Sequence, residues 1–304
     1  VSDSKSGTVT LRCRPFESDT RVGPVTVRAM GDTFADRWPR PSVMGVLNVT
    51  PDSFSDGGAY GSVAEAAEAA RRMLADGAAL VDVGGESTRP GAGRVTPEEE
   101  LRRVAPVLEA LAGLPVSIDT SRAVVAARAI ELGAVMVNDV SALRRDPELA
   151  AVVAAAGVDL CLMHMQGDPR TMQIEPRYED VVGEVASFLE ERLESAVVAG
   201  VDEGRICLDP GIGFGKTPDQ NLELVRRLDR IVAIGRPVLV GLSRKSTLAR
   251  VVGAPGPVGS EPASVGAAVA AFERGATMFR VHGVRLHVEA LAAAAAIERG
   301  SVAP

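Results

Sequence analysis

A parallel β/α barrel is the fold this chain predicts, on three observations. Short, uniformly apolar runs alternate with segments of helical spacing, as buried parallel strands flanked by helices do. A glycine closes helical segment after helical segment shortly before the next apolar run. Each apolar run then ends in polar residues, which gathers polar groups at one end of the sheet.

In chain order, residues 1–42 form a separate N-terminal extension. Within it, 8–13 and 25–29 alternate with period two and predict a β-hairpin that caps the closed end of the barrel. Trp38-Pro39-Arg40-Pro41 then breaks structure, and residues 43–304 form the barrel. Apolar runs at 43–49, 79–83, 116–118, 135–137, 158–163, 206–208, 237–240 and 277–281 predict the strands. The pairs Ser62 with Glu65, Thr96 with Glu99, and Thr217 with Gln220 predict capping boxes. Pro97, Pro147 and Pro218 take first helical positions, where a missing N–H is harmless. Gly77, Gly113, Gly133, Gly157, Gly200, Gly235 and Gly275 end helices, so seven stops separate eight strands. Over about 250 residues, that count is the count of a (β/α)8 TIM barrel. A doubly wound sheet fits less well, because no Gly-x-Gly-x-x-Gly follows the first strand.

Composition narrows the function classes. With 46% hydrophobic and 24% charged residues and a net charge of −7, the chain reads as a globular domain without a general nucleic-acid surface. Its three cysteines, Cys13, Cys161 and Cys207, are widely spaced, and the last two sit in apolar runs. Buried thiols in a reducing compartment follow. No apolar span approaches membrane length and no secretory h-region is present, which predicts a cytoplasmic protein. No Cys/His zinc spacing and no Gly-x-Ser-x-Gly elbow occurs.

The strand ends carry the chemistry. They supply Asn48, Glu86-Ser87-Thr88-Arg89, Asp119, Asn138-Asp139, His164 with Gln166, Asp209, Ser243-Arg244-Lys245-Ser246, and Arg280 with His282. One Asp or Asn in such a place ordinarily caps a helix; a polar end on every strand argues for one mouth. Asp119, Asn138 and Asp209 suit the edge of a nitrogen-rich heterocycle. Lys245, Arg280, His282 and Arg89, with Asn48, suit a polyphosphate or carboxylate. The run Gly211-x-Gly213-x-Gly215 allows close backbone approach to a flat ligand beside Phe214, although a simple loop explains it equally well. His287 on the last helix reads as structural or solvent-facing. Residues 98–100 read as a solvated first helical turn. The alanine run 292–296 reads as a packed helix face at a subunit contact.

The ordered motifs at 48–58, 85–91, 118–121, 138–139, 162–166, 208–216 and 243–246 together resemble those of the dihydropteroate synthases, a pterin-binding enzyme family. The resemblance spans the barrel from about Val43 to Leu291. It implies a transferase of folate biosynthesis that joins 6-hydroxymethyl-7,8-dihydropterin diphosphate to p-aminobenzoate, releasing diphosphate. It implies that Asp119, Asn138, Asp209 and Lys245 hold the pterin, with Met163, Phe214 and Gly241 shaping its slot. Asn48, Arg280 and His282 then bind diphosphate, and Asn48 also contacts Mg²⁺. Asp119, Asp209, Lys245, Arg280 and His282 form the catalytic set. Phe54, Thr88, Arg89, Pro90 and Ser246 build the p-aminobenzoate pocket. A homodimer through the last helices and a sulfonamide target are also implied.

Two positions depart from the family pattern. Gly283 stands where the family usually has a polar residue after the histidine, which predicts weaker support for His282. The segment 253–262 differs as well and predicts an altered loop or subunit surface. Two rivals share the pterin contacts: the pterin-binding barrel of a methyltetrahydrofolate methyltransferase, and a non-catalytic paralogue.

Overall fold

The structure is a computed structural model that describes residues 33–49, 62–87, 93, 95–168, 171–254 and 259–302. The predicted hairpin, Cys13, Phe54, Thr88, Arg89 and Pro90 lie outside the described residues. The strands are β1 (Ser42–Asn48), β2 (Leu80–Gly84), β3 (Val116–Asp119), β4 (Met136–Asp139), β5 (Asp159–Met163), β6 (Ile206–Asp209), β7 (Leu239–Val240) and β8 (Met278–Val281). All pair in parallel, in the order β6-β5-β4-β3-β2-β1-β8-β7. The two ends of that sheet meet at a single bridge, Leu208 with Val238, where the Leu208 N–H donates to the Pro237 carbonyl at 2.9 Å. The result is a nearly closed barrel whose seam lies between β6 and β7.

Around it run α1 (Phe34–Arg37), α2 (Val63–Ala75), α3 (Pro97–Ala110), α4 (Ala123–Glu131), α5 (Glu148–Ala156) and α6 (Val181–Val198). They continue with α7 (Pro218–Arg226), α8 (Asp229–Val232), α9 (Ser246–Val251), α10 (Glu261–Phe272) and α11 (Val284–Arg299). All seven predicted stop glycines have positive φ, between 63° and 103°, a conformation that costs a residue with a Cβ about 1 kcal/mol. The side-chain caps form at Ser62, Thr96 and Thr217, with both halves of the box at Thr217 and Gln220. At Thr96 the Glu99 carboxylate turns to Arg102 and Arg103 instead, 2.7 Å from each. Pro147, expected at the first helical position, is instead the N-cap of α5, one residue before Glu148.

Strand side chains alternate, so residues two apart share a face. The inward residues at the N-terminal end of the barrel are Met44, Leu80, Met136, Cys161, Cys207, Leu239 and Met278, which form one apolar cluster. Both cysteines are buried free thiols facing each other across β5 and β6. Two residues further along the same faces come Val46, Asp82, Asn138, Met163, Asp209, Gly241 and Arg280. The interior is therefore two storeys, apolar below and polar above. Outward residues such as Val81, Val83, Ile118, Val137, Leu160 and Phe279 pack the helices in a separate core.

The apolar storey is plugged from below by Phe34 and Trp38, both buried in its cluster. Trp38 Nε1 donates to Asp159 at 2.8 Å, and Arg37 donates to the same carboxylate through Nε at 2.9 Å and through Nη2. Within the described residues the closed end is thus held by α1 and by Trp38, the first residue of the stretch 38–41 that was expected only to break structure.

Three further expectations meet the structure here. Glu98 and Glu99 are solvated, but Glu100 is buried against Gly85 and pairs with Arg122 at 3.1 Å. Glycine at 85 lets α3 approach so closely that Glu100 is covered. His287 is buried and structural, with Nδ1 2.7 Å from the Gly283 carbonyl. On α11, Ala295 packs into the core while Ala292 and Ala293 are exposed. No helix among the described residues is long and apolar enough to cross a membrane.

Removing one partner of a buried ion pair strands the other charge, which costs about 3–5 kcal/mol. D159A, which strands Arg37, is expected to lose that much in a denaturant titration. E68A, at an exposed 3.6 Å pair with Arg72, is expected to lose less than about 1 kcal/mol.

Candidate active site

The polar storey is organised around Asp82, a fully buried carboxylate in the middle of β2. Arg280 Nε donates to it at 2.7 Å, Asn138 Nδ2 at 2.9 Å, and the Ser117 hydroxyl also donates to it. Arg280 Nη2 reaches on to Asp119 at 3.0 Å, so the guanidinium lies between two carboxylates. That pairing raises the Arg280 pKa and keeps it charged. Burial pushes the Asp119 carboxyl up, to about 7, against the pull of Arg280.

Asp209 ends β6 and accepts the Gly211 N–H at 2.7 Å. Burial pushes its carboxyl up to about 6, while that bond and Lys245 pull it down. Lys245 follows β7, with its ammonium 4.4 Å from the centre of the Phe214 ring, a cation–π contact. Burial pushes Lys245 down to about 8, and Asp209 opposes this. Met163 and Phe214 join Val140, Met165 and Met172 in a small apolar cluster beside these charges. At Gly241 an added Cβ would meet nothing within 4 Å, so this wall of the storey faces open space.

At the rim, Asn48, Gly84 and Asp119 stand side by side in register. A Cβ on Gly84 would lie 3.5 Å from Asp119 Oδ2 and 3.6 Å from Asn48 Oδ1. Glycine there lets the two side chains share one space. His282 Nδ1 is 3.1 Å from the Ser243 hydroxyl, which also accepts the His282 N–H at 3.2 Å. The support that Gly283 does not supply therefore comes from Ser243. Gly283 itself makes room for the Glu261 carboxylate, whose Oε2 would lie 2.5 Å from a Cβ at that position. Ser246 is exposed at the first turn of α9.

Other strand-end polar groups hold loops rather than open onto the storey. Asp139 accepts the N–H groups of Ser141 and Leu143, and Glu86 is bound by Arg145 at 2.8 Å. Gln166 brackets the Arg177 backbone. His164 is buried with Nδ1 2.8 Å from Lys216 Nζ, and burial pushes its pKa down to about 2. Lys216 donates to the carbonyls of Gly211 and Phe214, both at 3.0 Å. A polar strand end is thus as often a lock for its own loop as a ligand group.

The glycine run has a second physical cause. Gly211, Gly213 and Gly215 all have positive φ. A Cβ on Gly211 would lie 1.8 Å from the His164 carbonyl oxygen, and one on Gly215 2.6 Å from that of Gln166. The close approach these glycines permit is to the loop after β5. Asp82 and Ser117 are the residues sequence reasoning passed over. Their signal was a lone carboxylate and hydroxyl on the inward face of otherwise apolar strands.

Burial lowers the Lys216 pKa from its ordinary 10.5 to about 7. Between those values the unfolded chain keeps a proton that the folded chain releases, so folding gains stability as pH rises through that window. The advantage of wild type over K216M is expected to grow by roughly 1 kcal/mol per pH unit there. Denaturant titrations at several pH values check this.

Residues 44–282 match the family model described as pterin binding enzyme. The chain is 47% identical over 259 residues to the dihydropteroate synthase of Neisseria meningitidis serogroup C, covering 84% of this chain and 92% of that one. It is 49% identical over 261 residues to that of Mycobacterium leprae, covering 82% and 90%. The Yersinia pestis dihydropteroate synthase, solved in a sulfonamide drug complex, superposes with a TM-score of 0.81 at 44% identity, covering 86% and 95%. That of Xanthomonas albilineans, in complex with 7,8-dihydropteroate, gives 0.75 at 44% identity, covering 86% and 94%. A family match across the barrel, and this identity over nearly the full length of the relatives, make the chain a member of the pterin binding enzyme family and, within it, of the dihydropteroate synthases.

Proposed function

We propose that the polar storey is the catalytic centre in which this synthase joins 6-hydroxymethyl-7,8-dihydropterin diphosphate to p-aminobenzoate, giving 7,8-dihydropteroate and diphosphate. The observation that carries the reading is the convergence of the buried Asp119, Asn138 and Asp209 with the half-buried Lys245 and Arg280 at the polar end of the barrel. Asp119, Asn138, Asp209 and Lys245 hold the pterin, between Met163, Phe214 and the open face of Gly241. Asn48, Arg280 and His282 receive the diphosphate. Ser246 contributes to the p-aminobenzoate pocket, together with Phe54, Thr88, Arg89 and Pro90.

The chemistry is alkyl transfer without redox change. The pterin CH₂–O bond breaks and its electrons leave with the diphosphate; the aniline nitrogen then bonds to the CH₂ carbon and loses its proton. Positive charge develops on the pterin beside the Asp209 and Asp119 carboxylates, and negative charge develops on the departing group beside Arg280 and His282. Such fixed charges, largely buried in the barrel mouth, act more strongly than they would in solution.

Asn48 fits a Mg²⁺ that arrives with a diphosphate. Its amide oxygen is a hard neutral donor at the rim, and magnesium held by phosphate oxygens needs few protein ligands. Bound there, the ion would screen the charge of the leaving group. A homodimer is supported by the apolar surface of α11, where Leu286 is 50% and Ile297 81% exposed. A cytoplasmic setting is supported by the buried reduced thiols. The Ser243 contacts to His282 support the catalytic reading over a non-catalytic paralogue.

The purified protein with Mg²⁺ and both substrates is expected to release diphosphate and form dihydropteroate in equal amounts; pterin binding without turnover would sink the reading. Because the Asp119 and Asp209 carboxylates must be charged to act, kcat is expected to fall in two steps as pH drops through about 7 and then about 6. D209N is expected to lose the lower step, keep the upper one, and lose about 100-fold in kcat. Steady-state pH profiles of both proteins check this.

A further inference from the structure

Asp82 touches Arg280, Asn138 and Ser117, and nothing about it requires it to touch a ligand. We propose that it is a positioning residue that sets ligand specificity: by holding the Nδ2 edge of Asn138, Asp82 commits the Asn138 carbonyl oxygen to the ligand. The site then selects a heterocycle that offers an N–H donor at that point. This rests on the reading of the storey as the pterin site.

The geometry carries the inference in two steps. A primary amide offers a donor edge and an acceptor edge, and rotation by 180° about χ2 exchanges them at little cost. Beside the Asp82 carboxylate only the NH₂ edge is tolerable, since an oxygen there would face carboxylate lone pairs. The 2.9 Å contact therefore fixes the orientation of the amide. The other edge is then determined. Asn138 is 3% exposed, and its Oδ1 has no hydrogen-bond partner among the described residues. A buried acceptor left in that state is costly, so it is spent on something that arrives. A ring N–H or amino group is the partner whose chemistry fits.

The same carboxylate holds Arg280 Nε. One residue thus sets the amide that reads the heterocycle and the guanidinium that meets the anion. Neither Asp119 nor Asp209 makes both bonds among the described residues.

Calorimetric titration with 6-hydroxymethylpterin, which lacks the diphosphate, tests the proposal in wild type, D82A, N138A and the double variant. D82A removes the oxygen that takes the Nδ2 bond, so the Asn138 amide can turn either way. N138A is expected to weaken binding at least tenfold and D82A at least twofold, because about half of its amides then present the wrong edge. The double variant is expected to match N138A, because Asp82 acts through Asn138. Multiplying effects, or D82A binding as tightly as wild type, overturn the proposal while leaving the pterin reading intact. If wild type binds no pterin, both fall. Should D82A not fold, N138D decides. Two carboxyls that close cannot both ionise, so the new side chain takes up a proton, donates to Asp82 and keeps its carbonyl oxygen for the ligand. N138D is expected to bind at least fivefold more tightly than N138A, and N138D binding as weakly as N138A overturns the proposal.

Discussion

A guanidinium can stand inside a barrel only where carboxylates surround it, and Arg280 is held this way between Asp82 and Asp119. Much of the site follows from that one arrangement. The first carboxylate orients Asn138, and the second is pushed upward in pKa by its own burial. Asp209 and Lys245 form a second, looser pair of opposite charges on the far strands. Three carboxylates and two basic side chains share the storey, a balance that favours a ligand on which positive charge develops.

The fold makes this possible by separating solvent from charge. Below the charged layer lies a layer of methionine, leucine and cysteine, closed by Phe34 and Trp38. Parallel register puts both layers at constant height around the barrel, so a polar residue two positions beyond an apolar one enters the same ring on each strand. The electrostatic contacts above the plug therefore act at a lower effective dielectric than surface pairs.

Much of this was legible in the sequence, for identifiable reasons. The stop glycines read correctly because a positive φ admits few other residues. The strands read correctly because both of their faces are buried, one by helices and one by the barrel interior. The strand-end groups were visible as polar punctuation, but their partners were not. Nothing in the motif around His164 says that it is neutral and locked to Lys216, because that contact joins two loops far apart in sequence. Asp82 was hidden for the opposite reason. It sits inside an apolar run, where a single carboxylate looks like noise until period-two alternation places it above Leu80. Glu100 misled because the sequence shows three glutamates in one helical turn but not that α3 packs onto the bare backbone of Gly85, which covers the third.

The glycines at 211 and 215 have a further consequence. Their missing side chains are where the backbones of two neighbouring loops interlock, so those loops form one wall beside Phe214 and Met163. A wall built from main-chain contact cannot be reshaped by exchanging one side chain for another without moving both loops. An inhibitor that draws its affinity from that face leans on a surface with little room for escape by single substitution. One that leans on exposed side chains such as Ser246 does not.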